Sequence, residues 1–212
     1  MCKIGWNGFA IILFCTGTLL LTASQVAGVE NNDPNDPNYP SDPNKLLRCK
    51  WDAVISILQN EDLKQEVKAE RISKIVTPIF DFPLMARLSL GRKHWPKFEP
   101  HQREKFTLLF TELLKKTYRE KIAFYKDEQI LFKQAEQNKK NTISIPTELI
   151  HNDKKVAILY KLRKVEKRWK IYDVEIQGVS ILLTYRSQFD EILRKGTVEE
   201  LLSRLEKPPP DE

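Results

Sequence analysis

The chain has 212 residues, with 35 basic and 29 acidic side chains and a net charge of +6. This length accommodates one domain with a substantial core. The positive charge is concentrated in residues 45–207, where 34 basic and 23 acidic side chains give +11. This balance favours anionic partners: nucleic acid, acidic protein surfaces or phospholipid headgroups.

The N-terminus has the three parts of a secretory signal peptide. Lys3 gives a basic start, Phe9 to Ala23 is an apolar run, and small residues precede a cleavage point near Gly28. A membrane anchor is the alternative, but a spanning helix needs about 20 apolar residues and this run is shorter. We therefore expect residues 1–28 to be a cleaved signal peptide. Secretion also argues against a nucleic-acid partner.

Few residues suit catalysis or metal binding. Cleavage of the signal removes Cys2 and Cys15, which leaves Cys49 without a disulfide partner and favours a packed core thiol. The histidines lack the spacing of zinc ligands: His94, His101 and His151. Neither a GxSxG elbow nor a glycine-rich phosphate loop is present. We predict no enzyme activity, metal or cofactor, although a paired-carboxylate enzyme stays open because folding sets carboxylate separations.

A proline-rich lead precedes the folded domain. The triplet Asp-Pro-Asn begins at Asp33, Asp36 and Asp42, where prolines remove hydrogen-bond donors and asparagines favour turns. We therefore predict a flexible lead over residues 29–44, one folded domain over residues 45–207, and a flexible tail over residues 208–212.

The first half of the domain has the apolar spacing of helices. The stripes run from Leu47 to Leu58, from Leu63 to Ile79 with a break near Pro78, from Phe82 to a stop at Gly91, and from Pro100 to Tyr125. At about 1.5 Å per residue, the last of these could reach almost 40 Å and line one side of a cavity.

Strands follow in the second half. The β-rich runs are Gln129–Lys133, Thr142–Ile150, Val156–Arg163 and Arg168–Gln177. Polar links separate them, which favours an antiparallel meander. In the last strand Tyr172, Val174 and Ile176 alternate with Asp173 and Glu175, which predicts one apolar face and one acidic face turned to water.

Two helices are predicted after the sheet. Apolar residues recur at helical spacing from Leu182 to Leu193, and Gly196 is placed to supply a left-handed cap. Thr197 and Glu200 then form a capping-box pattern for a last short helix. Helices before and after a sheet predict an α+β domain with one layer packed on the other.

Several of these segments together resemble one protein family. The words YDV, EIQGVS and YRSQF occur in order between Trp169 and Phe189, after DFPLMARLSLGRKHW, EPHQREKFTLLFTELLKKTY and YKLRK. In this order they are similar to the MlaC, or toluene-tolerance, family of periplasmic phospholipid-binding proteins. The resemblance covers roughly Lys45 to Glu206.

The resemblance implies a structure, a location and a set of partners. It implies a curved antiparallel sheet of about four strands whose helices close over a deep apolar pocket, in a monomeric periplasmic carrier that moves phospholipid between membranes. It also implies an inner-membrane ABC transporter with an MCE-domain subunit and an outer-membrane lipoprotein complex. A hopanoid-type lipid stays open as cargo, and so does a secreted structural or adaptor module without cargo, because an apolar stripe marks burial against either protein or lipid.

The predicted site has two parts. Lipid-binding residues are expected on the long helix, the strands and the following helix: Phe110, Leu114, Tyr118, Tyr160, Leu162, Tyr172, Val174, Ile176, Val179 and Tyr185. Contacts with partners or membranes are expected from a basic hairpin: Lys161, Arg163, Lys164, Lys167 and Arg168. A solvated hairpin tip is the alternative for the basic residues.

Overall fold

Six antiparallel strands form one sheet in a computed structural model that describes residues 40–122, 129–151 and 154–207. The strands are β1 (Gln129–Phe132), β2 (Glu136–Lys139), β3 (Thr142–His151), β4 (Lys154–Val165), β5 (Arg168–Ile176) and β6 (Val179–Ser180). Their order is β1-β3-β4-β5-β6, and β2 pairs with the same edge of β3 as β1 does. The predicted α+β fold with a curved antiparallel sheet is confirmed, with six strands instead of about four.

Six α-helices accompany the sheet within the described ranges. They are α1 (Pro43–Gln59), α2 (Gln65–Val76), α3 (Phe82–His94), α4 (Pro100–Ile122), α5 (Ile181–Lys195) and α6 (Val198–Glu206). Short 3₁₀ turns follow α2 at Thr77–Ile79 and α3 at Trp95–Lys97. None of the helices that the structure describes is long and apolar enough to span a bilayer.

The third Asp-Pro-Asn triplet begins α1 and does not belong to an unstructured lead. The Asp42 side chain accepts a hydrogen bond from the backbone N–H of Lys45 at 2.8 Å, and Pro43 occupies the first helical turn. Aspartate and proline are both favoured in these positions because the first N–H groups of a helix have no backbone partner. Helical structure therefore starts two residues before the predicted boundary at Lys45.

A bulge in β5 overturns the predicted alternation of its side chains. Leu162 pairs with Ile171, and the next pair joins Lys161 to Asp173, so Tyr172 is an extra residue. Ile171 and Val174 both lie in the buried core although they are three residues apart. Tyr172 instead lies near Lys161, Asp173 and Glu175. Burial has the largest effect on the Tyr172 hydroxyl and raises its pKa. The prediction that Tyr172 shares an apolar face with Val174 is wrong for this reason.

Contrary to the prediction, Asp173 does not face water. It is 5% exposed, and its carboxylate accepts hydrogen bonds from the Ser180 hydroxyl at 2.8 and 3.0 Å and from the Leu182 N–H at 3.3 Å. The carboxylate therefore joins β5 to the beginning of α5. Gln177 and Gly178 form the turn between β5 and β6, and both have positive φ, as a tight hairpin turn requires.

The predicted left-handed cap at Gly196 is also wrong, whereas the capping box beside it is confirmed. Gly196 has an extended backbone with φ of −136° because α6 begins two residues later. Thr197 and Glu200 exchange the two hydrogen bonds of a capping box at 3.2 Å each. The Glu200 carboxylate then occupies the space that a Cβ at Gly196 would need, so the position accepts only glycine without rearrangement.

The core consists of three clusters of buried side chains. A helical cluster brings together α3, α4, α5 and α6 around Phe106, Phe110 and Phe189. A sheet cluster packs one face of the sheet against α1 through Leu46 and Leu47. A small α1–α2 cluster contains Val54, Leu58 and Ile72. Phe80 packs against both larger clusters and lies between them.

Candidate functional site

A narrow apolar gap separates the sheet from α1 and the end of α2. Most of its lining is apolar or aromatic: Leu47, Trp51, Val54, Val76, Ile79, Phe80, Phe132, Tyr160 and Ile171, together with Lys50. Its volume is about 30 Å³, far below the roughly 300–1,000 Å³ of ordinary ligand sites. The deep pocket expected from the sequence is therefore not open among the residues that the structure describes.

A wider groove lies at the C-terminal end of α1. The groove has a volume of about 780 Å³ and runs along β1 and the loop after α1. Its lining is mixed: Trp51, Asp52, Ile55, Ser56, Gln59, Asn60, Glu61, Asp62, Gln129, Ile130 and Leu131. Trp51 lines both the groove and the apolar gap.

The beginning of α1 and the residues just before it contact the sheet at three places. Its first turn packs into the sheet cluster through Leu46 and Leu47, and the Trp169 indole donates a hydrogen bond to the Ser41 carbonyl at 3.1 Å. Arg48 donates to the Phe132 carbonyl at 3.3 Å, and its guanidinium lies 4.7 Å from the centre of the Phe132 ring. These contacts to the sheet lie at residues 41–48, around the first turns of the helix, and Leu47 is the one residue of this stretch that also lines the gap.

The second half of α1 is attached to α2 instead. Val54 and Leu58 pack against Ile72, and the buried Lys68 ammonium donates to the Leu58 carbonyl at 2.7 Å. A lysine suits this place because the last carbonyls of a helix have no backbone partner and carry partial negative charge. Val54, which also lines the gap, therefore belongs to the contact between the two helices.

Five of the predicted lipid-binding residues lie on or near the sheet side of this site. Tyr160 lines the gap, and Leu162 and Val174 belong to the sheet cluster beside it. Ile176 pairs with Val179 at the end of the sheet, and these side chains are 38% and 61% exposed. The structure thus brings the first three together and leaves the last two at the surface.

Three other predicted residues lie in the helical cluster. Phe110 contacts Tyr185 edge to face with ring centres 5.2 Å apart, and Leu114 packs nearby. They lie there because α4 packs against α3 and α6, whereas α1 covers the sheet. The side chain of Tyr118 lies outside the described residues. The long helix was expected to line one side of a cavity, but within the described residues Phe110 and Leu114 pack in the helical cluster and do not line the gap.

Sequence reasoning missed most of the gap lining. The apolar stripe of α1 was recognised, but nothing in its spacing tells which surface the stripe covers. Phe132 and Ile79 sit at the end of a short strand and in a 3₁₀ turn, where periodicity is too brief to assign a face. Ile171 was not included in the predicted apolar face, because that face was assigned from Tyr172 and the bulge is invisible in the sequence.

Two of the five basic residues predicted to contact partners form internal ion pairs. Lys161 contacts Glu175 and lies 3.5 Å from Asp173. Burial alone would lower the pKa of Lys161, but the hydrogen bond to Glu175 and the two carboxylate charges outweigh burial and raise it. Arg163 pairs with Asp81, the residue that caps α3. Neither charge is simply solvated.

The other three basic residues lie around the β4–β5 hairpin tip. Lys164 and Lys167 are exposed, and the Lys164 ammonium lies 5.9 Å from the Trp169 ring centre. Arg168 is half-buried and interacts with another group of the protein. The basic hairpin therefore presents Lys164 and Lys167 most openly to solvent. Within the described ranges, no three or more His, Cys, Asp or Glu side chains come together as a possible metal site.

The comparisons with known proteins agree with this architecture. A curated relative from Haemophilus influenzae, the intermembrane phospholipid transport system binding protein MlaC, is 24% identical over 208 residues, which cover 94% of this chain and 91% of the relative. A phospholipid-binding protein from Ralstonia solanacearum, solved in complex with a phospholipid, has the same fold. Its TM-score is 0.69 at 22% identity, over 78% of this chain and 96% of that chain. The family model described as MlaC protein matches residues 50–207, and the chain therefore belongs to the MlaC protein family.

Proposed function

We propose that this chain is a phospholipid-binding carrier, the soluble component of an Mla-type ABC transport system that moves lipid between the outer and inner membranes. The similarity to the Haemophilus influenzae transport protein and to the phospholipid-bound Ralstonia solanacearum protein supports this function. The proposal involves no catalytic step.

The observation that carries the proposal is the apolar gap under α1. Exposed acyl chains cost about 25 cal/mol for each Å² of apolar surface in contact with water. Leu47 and Val54 line the gap from α1, and Ile171 lines it from the sheet. Apolar side chains on both sides would surround the acyl chains and remove that cost. We place the lipid tails here, with Tyr160 in contact and Leu162 and Val174 beside them.

Lipid entry requires the gap to widen. About 30 Å³ does not admit an acyl chain, so α1 and α2 move away from the sheet when lipid binds. The hydrogen bond between Lys68 and Leu58 favours movement of the two helices together. The contacts of Ser41 and Arg48 lie at the other end of α1, where they form a hinge.

Location and partners follow from the same proposal. The signal-like N-terminus supports export, and we place the mature, monomeric protein in the periplasm. Its partners are an inner-membrane ABC transporter with an MCE-domain subunit and an outer-membrane lipoprotein complex. We propose that Lys164 and Lys167 contribute to those encounters through the positive charge of the exposed hairpin.

Lipid content tests the function. The protein is purified gently from its periplasmic fraction, extracted with organic solvent, and its lipids are identified and quantified by mass spectrometry. We expect about one phospholipid per chain, and transfer of labelled phospholipid from donor to acceptor vesicles. A polycyclic lipid in place of phospholipid would support the hopanoid alternative. Reproducible absence of lipid, together with no transfer, would favour an adaptor module.

A further inference from the structure

Exposed apolar side chains gather at one end of the fold. Six large apolar side chains are exposed within the described ranges: Leu88, Leu108, Leu131, Ile176, Val179 and Leu183. Single exposed leucines are common on protein surfaces, whereas a cluster of them marks a site for a protein or a membrane. Four of the six lie in α3, β5, β6 and α5, elements that contact one another.

Three of these four follow one another around a tight turn. Ile176 and Val179 are opposite each other in the β5–β6 hairpin, where paired side chains lie on the same face about 5 Å apart. Leu183 lies in the first turn of α5, three residues after its cap Ser180. Val179 and Leu183 are each 61% exposed, so this end of the sheet presents aliphatic side chains to solvent.

Helix packing brings Leu88 to the same place. α3 and α5 run parallel, because Gly91 meets Arg186 and the next turn of α3 bonds to Asp190 in the next turn of α5. Leu88 and Leu183 lie one turn before Gly91 and Arg186. The same register therefore sets these two leucines side by side. We name the four residues the apolar end: Leu88, Ile176, Val179 and Leu183.

Basic side chains lie beside the apolar end. A side chain of the β5–β6 turn donates a hydrogen bond to the Lys155 carbonyl at 3.3 Å, so Lys155 is next to that turn. Arg87 lies in the same turn of α3 as Leu88, and both basic residues are exposed. Glu175, near the end of β5, is already paired with Lys161. The charge of Lys155 and Arg87 is therefore not compensated by Glu175.

We propose that the apolar end docks on an anionic phospholipid surface. Its aliphatic side chains enter the boundary between headgroups and acyl chains, while Lys155 and Arg87 contact lipid phosphates. Neighbouring apolar and basic side chains suit that boundary. A stable protein interface takes about 20–30 residues from each partner, far more than this patch supplies. The inference deepens the proposed function and rests on it for the need of a carrier to meet membranes.

The apolar end is separate from the basic hairpin. Ile158 pairs with Ile176 at one end of β5, and Val165 pairs with Arg168 at the other. At about 3.3 Å per residue, the two surfaces lie roughly 25 Å apart along the strand. Attraction through the hairpin charges fades when salt screens them, whereas insertion of aliphatic side chains persists.

Vesicle binding at high salt tests the docking surface. The protein is sedimented with vesicles of phosphatidylethanolamine and phosphatidylglycerol. Leu183→Glu should lower the affinity about tenfold, the order expected for loss of one inserted leucine. It should still fold, because glutamate three residues after a serine cap forms a capping box. Leu108→Glu is the matched control: Leu108 is 69% exposed on α4, and its replacement should leave the affinity unchanged.

A fluorescent reporter tests insertion itself. An environment-sensitive dye is attached to Val179→Cys or to Leu108→Cys in a Cys49→Ala background. Addition of the vesicles should shift the emission to the blue at position 179 and leave it unchanged at position 108. Equal shifts at the two positions would mean non-specific adsorption and would overturn the inference.

The outcomes separate this inference from the proposed function. Equal vesicle binding by Leu183→Glu and Leu108→Glu overturns the docking surface, even where lipid content and transfer are as expected. Absence of lipid and of transfer overturns the proposed function, even where vesicle binding depends on Leu183. Loss of self-association in Leu183→Glu, with vesicle binding unchanged, would assign the apolar end to a second copy of the chain. If Leu183→Glu does not fold, as judged by circular dichroism, Val179→Glu is measured in the same way and decides.

Discussion

The guanidinium of Arg186 in α5 lies against Gly91 in α3, where any other residue would carry its Cβ. A Cβ at Gly91 would come within 2.7 Å of Arg186 Nε, and Gly91 has a φ of +64°. The left-handed backbone therefore favours glycine here, and an added Cβ would in addition displace the Arg186 guanidinium. The contact joins two of the sequence segments that resemble the MlaC family.

Gly91→Ala should destabilise the fold by about 2–3 kcal/mol, since strain from a left-handed alanine adds to displacement of Arg186. Gly178→Ala is the matched control, because Gly178 has a φ of +79° but nothing within 4 Å of its added Cβ. It should cost about 1 kcal/mol. Urea unfolding measures both, and Gly91→Ala with Arg186→Ala should approach the control. Equal losses in the two single variants would show that the Arg186 contact is unimportant.

Asp173→Ala should be among the more damaging single substitutions in the sheet. It removes the acceptor for Ser180 and Leu182 and leaves those donors buried beside Lys161. Loss of a buried, charge-assisted network of this size costs about 2–4 kcal/mol. Glu175→Ala, which removes a more exposed partner of Lys161, is the comparison and should cost less in urea unfolding. A loss below that of Glu175→Ala would contradict the role assigned to Asp173.

Asp190 should titrate far below an ordinary aspartate. Lys93 and then His94 hydrogen-bond its carboxylate, at 2.6 and 2.7 Å, and lower its pKa to about 2. Because the folded pKa is below the unfolded value, the stabilisation is present above pH about 4. It is lost as the pH falls through about 2. Carbon-13 NMR should show this pKa directly, and Lys93→Met should raise it. A wild-type pKa near 3.8 would contradict the contact.

Removal of the two exposed hairpin charges should weaken binding to anionic membranes. Lys164→Gln with Lys167→Gln is expected to lower affinity for phosphatidylglycerol vesicles, at about 1 kcal/mol for each lysine near the surface. The effect should shrink as salt rises. Lys64→Gln with Lys97→Gln removes the same charge from exposed positions elsewhere and controls for net charge. Equal weakening in both pairs would mean that overall charge, and not the hairpin, governs binding.

Local sequence signals predicted most of the secondary structure. Helix ends and breaks are set by nearby residues, so the capping box at Thr197 was readable, and so was an interruption at Gly91, which has non-helical φ and ψ within α3. The start of α1 was readable too, since Asp42 and Pro43 are both favoured at helix starts, but the repeated triplet suggested a lead. β2 was missed because its four residues, Glu136–Lys139, are polar and exposed throughout.

The candidate site was much less predictable, because it depends on which layers meet. The long helix α4 has apolar residues on several sides, and its sequence does not say whether Phe110 faces the sheet or other helices. The bulge at Tyr172 reverses the pattern of a strand without any proline or glycine to mark it. Lys50 looked like one charge among many, since burial of a lysine on an amphipathic helix follows only from the packing around it.

The central claim is that phospholipid lies between α1 and the sheet, and photo-crosslinking tests it most directly. A photoreactive phenylalanine analogue replaces Phe132, which lines the gap, or Tyr185, a half-buried aromatic residue of the helical cluster. Each variant is loaded with radiolabelled phospholipid and irradiated. We predict strong labelling at position 132 and little at position 185. Labelling at position 185 with none at position 132 would contradict the account and place the lipid among the helices.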